Sequence, residues 1–266
     1  MLHLLFHSTF HFESKNLDAH GMVIQPVLWY NRFVCSERAW SRQTAPDSDA
    51  TMRSDGVSRG RFITFEGNDG SGKTTISQRV YETLRARGIS VIYTREPGGI
   101  AIAEQIRTII LDPCNTEMDA RTEALLYAAS RRQHLVEKVL PALENGTHVI
   151  CDRFIDSSLA YQGNGRQIGM EEVYAMNLFA TQGLLPDLTL FLDVSLEESM
   201  KRMEGRGAKD RLDQESAAFH QRVREGYDRV KALYPQRVHV IDAHGSIEEV
   251  TDACLDEIER VIAEDA

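Results

Sequence analysis

The chain lacks several features that would place it in a class at once. Its four cysteines, Cys35, Cys114, Cys151 and Cys254, stand far apart and form no C-x-x-C pair. Neither a zinc site nor a disulfide framework is expected, which suits a reducing compartment. No apolar run approaches the roughly 20 residues that span a bilayer. The opening MLHLLF (Met1–Phe6) is short for a signal-peptide core and has no basic lead-in. Positive charge is scarce as well: 30 Lys and Arg against 40 Asp and Glu leave −10 at pH 7. That balance argues against a general nucleic-acid or membrane surface, so any basic cluster should be a local phosphate site. A cytoplasmic protein with no nucleic-acid or membrane partner is the expectation. At 266 residues the chain is long enough to bury one full core.

Residues 1–59 also lack a sustained helical or strand period. They hold both tryptophans, Trp29 and Trp40, and the stretch Ser41–Gly60 is rich in Ser, Asp, Arg and Gly. Such composition reads as a linker or a disordered segment. Acidic residues such as Glu13, Asp18 and Glu37 interrupt it, unlike an Arg-rich presequence. The expectation is a dispensable N-terminal extension, 1–59, with Met52 or Met22 as the biological start, followed by one domain, 60–266.

What is present is concentrated in Phe65–Thr75, FEGNDGSGKTT. Gly67, Gly72, Lys73 and Thr74 satisfy G-x-x-x-x-G-K-[ST]. Glycines let successive backbone N–H groups curl around an anion, and a following helix N-terminus adds favourable partial charge. The lysine reaches β- and γ-phosphates, and the Thr74 hydroxyl is placed to ligate Mg²⁺. A β-branched and aromatic run over 61–66 precedes the loop. Ile76, Val80 and Leu84 follow at helical spacing, with Gly88 as a stop. Strand, loop and helix are the context the motif requires.

From residue 60 onward, strand and helix alternate. Strands are predicted over 61–66, 89–94, 147–152, 187–193 and 237–242. Helices are predicted over 73–87, 100–111, 119–144, 170–182, 196–205, 214–232 and 246–263. This pattern implies an α/β P-loop NTP-binding fold, three layers (α/β/α) around a five-stranded parallel sheet. In such sheets the chemistry gathers beyond the carboxyl ends of the strands. Those ends carry FEGNDGSGKTT, then YTREPGG (93–99), then CDRFIDSSLAYQG (151–163).

Together these pieces resemble the thymidylate (dTMP) kinases of bacterial type. The match rests on Glu66–Thr75, TREPGG (94–99), LLYAASRRQHL (125–135), DRFIDSSLAYQG (152–163), PDLTLFLDV (186–194) and RGAKDRLDQES (206–216). It covers about residues 60–263, and the first 60 have no counterpart. The resemblance implies ATP-dependent conversion of dTMP to dTDP. Gly67, Asn68, Asp69, Gly70, Ser71, Gly72, Lys73 and Thr74 would hold ATP, and Mg²⁺ would sit at Thr74 and Asp152. On the acceptor side an aromatic at Tyr127 would stack on thymine, with Arg131 one helical turn away on the same face. Arg153, helped by Arg107, would clamp the acceptor phosphate. Ser158 and Gln162 would bond the thymine edge. Tyr161 would fill the space a ribose 2′-OH needs, and Asp69 would stand near the sugar hydroxyl. Glu96, before an expected cis Pro97, would orient acceptor or metal. Arg132 and His134 are taken as surface residues. A helix-packed homodimer is implied too.

Some relatives carry an arginine where Gly70 stands here. The mobile charge on the γ-phosphate is therefore sought in a lid between two helices: Lys201, Arg202, Arg206, Lys209 and Arg211, with Arg206 and Arg211 as the catalytic candidates beside Lys73 and Arg153. Two alternatives stand beside this reading: a kinase for another monophosphate or deoxynucleoside, and a P-loop regulatory NTP-binding module. No N-K-x-D motif follows the loop to support the second.

Overall fold

A computed structural model describes residues 58–204 and 210–263. The extension expected over 1–59 lies outside the described residues apart from Ser58 and Arg59, and so do Arg206 and Lys209. Five strands form one parallel sheet: β1 (Phe62–Glu66), β2 (Val91–Arg95), β3 (His148–Asp152), β4 (Leu188–Asp193) and β5 (Val238–Asp242), in the order β2-β3-β1-β4-β5. Strand β1 is central, with Phe62 opposite Val149 and Ile63 opposite Leu188. All five residues of β1 are buried, because helices cover both faces of the sheet.

The helices are α1 (Lys73–Ala86), α2 (Ala101–Leu111), α3 (Ala120–His134), α4 (Leu140–Glu144), α5 (Ile155–Ser158), α6 (Met170–Thr181), α7 (Leu196–Glu204), α8 (Ala217–Leu233) and α9 (Ile247–Ala263). On one sheet face Ile63 and Phe65 join the α1 stripe Ile76, Val80 and Leu84 and the α9 residues Cys254, Leu255 and Ile258. On the other face Phe62, Val149 and Cys151 pack with Leu135, Val139, Leu143 and Phe154. The period-2 alternation of β1 is thus divided between two helical layers.

Two segments differ from the expected elements. The helix expected over 119–144 is interrupted by a π-helical turn, Leu135–Val139, before α4. Pro141 explains the break, since it has no N–H to give and crowds the preceding turn. The second segment, Ile155–Gly165, lies outside every predicted strand and helix. It is instead α5 continued by a π-helical stretch, Leu159–Gly165. Helix α8 lies directly against that stretch. Gly226 permits the contact, because a Cβ there would stand 2.8 Å from the Ala160 Cα.

Candidate active site

The loops after β1, β2 and β3 open into a shared cavity of about 490 Å³, joined by residues of α2, α3 and the Asp210–Asp213 segment. In the first loop Gly67, Gly70 and Gly72 all have positive φ, at 144°, 85° and 91°. A side chain at Gly67 would also meet the Leu192 carbonyl oxygen at 2.7 Å. The Lys73 ammonium is buried and donates to the Asn68 carbonyl at 2.7 Å and to the Ser71 hydroxyl at 3.4 Å. Burial first, then the nearby Arg153 charge, lowers its pKa to about 8. An ammonium destabilised in this way is poised for an anionic ligand. The Thr74 hydroxyl donates to Asp152 Oδ2 at 2.6 Å, so the two oxygens expected at the metal do meet.

Arg153 lines the cavity between the P-loop and the α5–π segment. Its φ is +69°, a strained value for a residue with a side chain, and it follows directly on β3. The guanidinium donates to Asp69, to the Gly67 carbonyl at 3.3 Å, to Ser157 at 2.9 Å and to Tyr227 at 3.0 Å, and lies over the Tyr161 ring. The Tyr161 hydroxyl donates to Asp69 Oδ2 at 2.5 Å. Burial pushes the Asp69 carboxyl up, but Arg153 and Lys73 outweigh it and hold the group below the usual carboxylate range. Beneath this cluster Glu66 is fully buried. It accepts from the Phe154 and Ser157 amides at 2.8 and 3.1 Å and from the Ser157 and Tyr227 hydroxyls at 2.6 and 2.9 Å. Glu66 thereby fixes the backbone of the DRF turn that aims Arg153.

The cavity wall formed by the turn after β2, α3 and the α5–π segment is a polar network. The Glu96–Pro97 bond is cis, as expected. Glu96 accepts from Arg131 Nε at 2.7 Å and is bonded to His134 Nδ1 at 2.9 Å; His134 Nε2 meets the Thr94 hydroxyl at 2.7 Å. Arg131 Nη1 reaches Ser158 at 3.0 Å and also Asn177. The surface position expected for His134 is therefore corrected: it is fully buried, three residues beyond Arg131 on the same helix face. Arg132 is half-buried and contacts the Ala180 carbonyl at 3.4 Å. Tyr127 and Arg131 both line the cavity, as do Ser158, Tyr161 and Gln162, whose i, i+3, i+4 spacing puts them on one face of the α5–π segment. Arg107 donates to the Pro97 carbonyl at 2.9 Å and shares it with Arg95 at 3.0 Å. Burial, and then Arg95, lowers the Arg107 pKa, so Arg107 would gain from an anion, while Arg95 already pairs with Glu104 at 2.8 Å.

Several residues of the site were not singled out in the sequence. Arg95 could have been found as the one cation within TREPGG. Glu66 lies in the matched stretch Glu66–Thr75 but was given no role, while Glu123, Asn177 and Tyr227 carry no motif and are brought in from distant elements. The lid expectation divides. Arg202 pairs with Glu198 on the exposed face of α7 at 2.9 Å. Arg211, expected as a mobile charge over the γ-phosphate, is instead buried. Its amide and Nε bond the Leu111 and Ile110 carbonyls at the end of α2 (3.1 and 2.8 Å), and Nη2 pairs with Glu123 at 2.5 Å.

Comparison with known proteins agrees with this geometry. The thymidylate kinase family profile matches residues 65–254. A thymidylate kinase of Halalkalibacterium halodurans is 57% identical over 196 residues, which span 73% of this chain and 93% of that protein. One from Enterococcus faecalis is 55% identical over 198 residues, again 73% and 93%. The crystal structure of thymidylate kinase from Ehrlichia chaffeensis matches with a TM-score of 0.61 at 33% identity, covering 76% of this chain and 99% of that one. With the P-loop, the cis-proline turn and the aromatic–arginine wall meeting in one cavity, the chain belongs to the thymidylate kinase family.

Proposed function

We propose that the cavity transfers the γ-phosphoryl group of ATP to the phosphate of dTMP, giving dTDP. The observation that carries this is shared occupancy: Gly72, Lys73 and Thr74 of the donor loop line the same cavity as Tyr127, Arg131, Ser158 and Gln162. The glycine-loop amides cradle the donor phosphates, and Lys73 leaves Asn68 and Ser71 to bridge them. Arg153 and the Arg95–Arg107 pair hold the acceptor phosphate, whose own oxygen attacks, so no protein nucleophile is needed. Tyr127 supplies a stacking face for the base, while Arg131, Ser158 and Gln162 read its edge. Tyr161, tied to Asp69, fills the space under the sugar. Thr74 and Asp152 offer two hard oxygens at the mouth of the P-loop, which fits Mg²⁺ because that ion keeps waters and takes its other ligands from phosphates. Such an ion neutralises charge on the donor phosphates when bound. Since Arg211 is held by Glu123, the finger is assigned to Arg206.

A coupled assay across dTMP, dUMP, UMP, CMP and AMP tests this reading, with dTMP expected to give the highest kcat/KM. ATP hydrolysis that dTMP does not accelerate would favour the regulatory module instead. The free cysteines Cys114, Cys151 and Cys254 suit a cytoplasmic setting; no described helix is long and apolar enough to cross a membrane. Apolar side chains stand exposed on α2 (Ile102, Ile109), α3 (Leu125) and α6 (Phe179, 89% exposed). Helix α3 packs on both α2 and α6, and these side chains support a helix-packed homodimer, which light scattering on Phe179→Asp would reduce to monomer.

A further inference from the structure

Glu123 is a buried carboxylate that the phosphoryl-transfer reading leaves without a task. It lies in the first turn of α3 with no exposed surface. Its Oε1 accepts from Gln162 Nε2 at 2.8 Å and from Arg166 Nε at 3.2 Å. Its Oε2 accepts from Arg166 Nε and Nη2 at 3.1 and 2.9 Å and from Arg211 Nη2 at 2.5 Å. Burial alone would raise its pKa, but Arg166 first, with Gln162 and Arg211, keeps it low and ionised. An ionised carboxylate accepts and never donates. The Gln162 amide is 2% exposed and must therefore turn its NH₂ toward Glu123. Its carbonyl oxygen, to which no described residue donates, is left for the ligand in the cavity that Gln162 lines.

We infer that Glu123 is a specificity-positioning residue: by fixing the Gln162 amide with its carbonyl toward the base, it selects pyrimidines that carry a proton on N3. Thymine and uracil offer that N3–H. Cytosine offers a bare N3, which would face the Gln162 oxygen with two lone pairs opposed, and its exocyclic amine would face the Arg131 donors. A buried pairing that leaves a donor or acceptor unmatched discriminates far more than a missing methyl group. The lock therefore separates dTMP from dCMP while leaving dUMP to be distinguished elsewhere.

This inference rests on Gln162 reading the base, and the test separates the two. Gln162→Leu should raise the KM for dTMP at least about tenfold; an unchanged KM overturns the base-reading role and the lock with it. Glu123→Gln keeps size and polarity but gives the arginines a single carbonyl to share. Its own NH₂ then faces Gln162 and turns that amide over. The ratio of kcat/KM for dTMP over dCMP should fall about ten- to a hundredfold, an effect that loss of packing alone does not produce. A preserved ratio in Glu123→Gln, alongside a raised KM in Gln162→Leu, overturns the lock while leaving the base reader in place. Should Glu123→Gln not fold, neutron diffraction from the full chain with dTMP decides. Deuterons on the Gln162 atom facing Glu123 are expected, and deuterons on the atom facing the base overturn the proposal.

Discussion

The donor and acceptor halves of the cavity are built on different principles. The donor half is one contiguous run, Gly67–Thr74, whose working parts are backbone amides, three positive-φ glycines and one lysine bonded to its own loop. The acceptor half is assembled from side chains of β2, α2, α3, the turn after β3 and the α5–π segment, cross-tied by Glu66, Glu96 and Glu123, all buried. A backbone cradle tolerates side-chain change outside its few fixed positions. A carboxylate network does not, because removing one partner leaves a buried charge unmatched. Donor-side substitutions should therefore affect the chemistry with little cost to folding, whereas acceptor-side substitutions should affect both.

The largest expected effect tests the border between the halves. Arg206→Ala should lower kcat by about 10³-fold with ATP affinity little changed, as for loss of an arginine finger. Arg211→Ala should act mainly on the KM for dTMP, because it releases Glu123 and the end of α2. Steady-state kinetics with both substrates varied would reverse the assignment if Arg211→Ala showed the greater loss of kcat. Next in size is the direct contrast. Lys73→Met should lower kcat about 10²- to 10³-fold while raising the melting temperature at pH 7, since a buried ammonium with a depressed pKa opposes folding. Arg153→Lys should cost about ten- to a hundredfold in kcat/KM for dTMP and also lower the melting temperature. A lysine has three donors and no planar fork for the five groups the guanidinium reaches, Asp69, the Gly67 carbonyl, Ser157, Tyr161 and Tyr227. Equal thermal behaviour of these two variants would remove the distinction between the halves.

The same contrast explains what could be read from the sequence. The donor loop was legible because its chemistry is contiguous, and the five strands were legible from buried β-branched and aromatic runs. The α5–π segment was not: Ile155–Gly165 has no amphipathic period and reads as strand-terminal loop, since its burial comes from α8 packing on it. Tyr127, Arg131, Ser158 and Gln162 were placed by resemblance, and all four do line the cavity. Asn177, which bonds Arg131, and Glu123, which bonds Gln162, were invisible, because a buried polar partner chosen across 46 or 39 residues of chain leaves no local spacing. His134 was misplaced for a related reason. RRQH reads as a solvated helix end, and the buried partners of the imidazole, Thr94 and Glu96, come from 38 to 40 residues away at the end of β2.

That network supplies the third test. His134→Ala removes one of two partners from the Glu96 carboxylate and loosens its hold on Arg131. The KM for dTMP should rise about tenfold, as for one buried hydrogen bond lost, with the KM for ATP unchanged. A parallel rise in both would mean that the network supports the sheet as a whole and not the acceptor wall in particular.

The smallest effect is a titration. Lys73 loses its proton near pH 8 in the folded chain and at about 10.4 when unfolded. Between those values the unfolded state binds more protons, so the unliganded protein should gain stability as pH rises through this window. Below pH 8 the buried ammonium is charged in both states and its cost is fully present. Nucleotide binding should run the other way, because phosphates favour the charged lysine. ATP should take up a proton on binding near pH 8, and its affinity should weaken severalfold from pH 7 to 9. Calorimetry in buffers of differing ionisation enthalpy measures that uptake, and Lys73→Met should abolish it. Persistence of the uptake in Lys73→Met would locate the proton on a group other than the loop lysine.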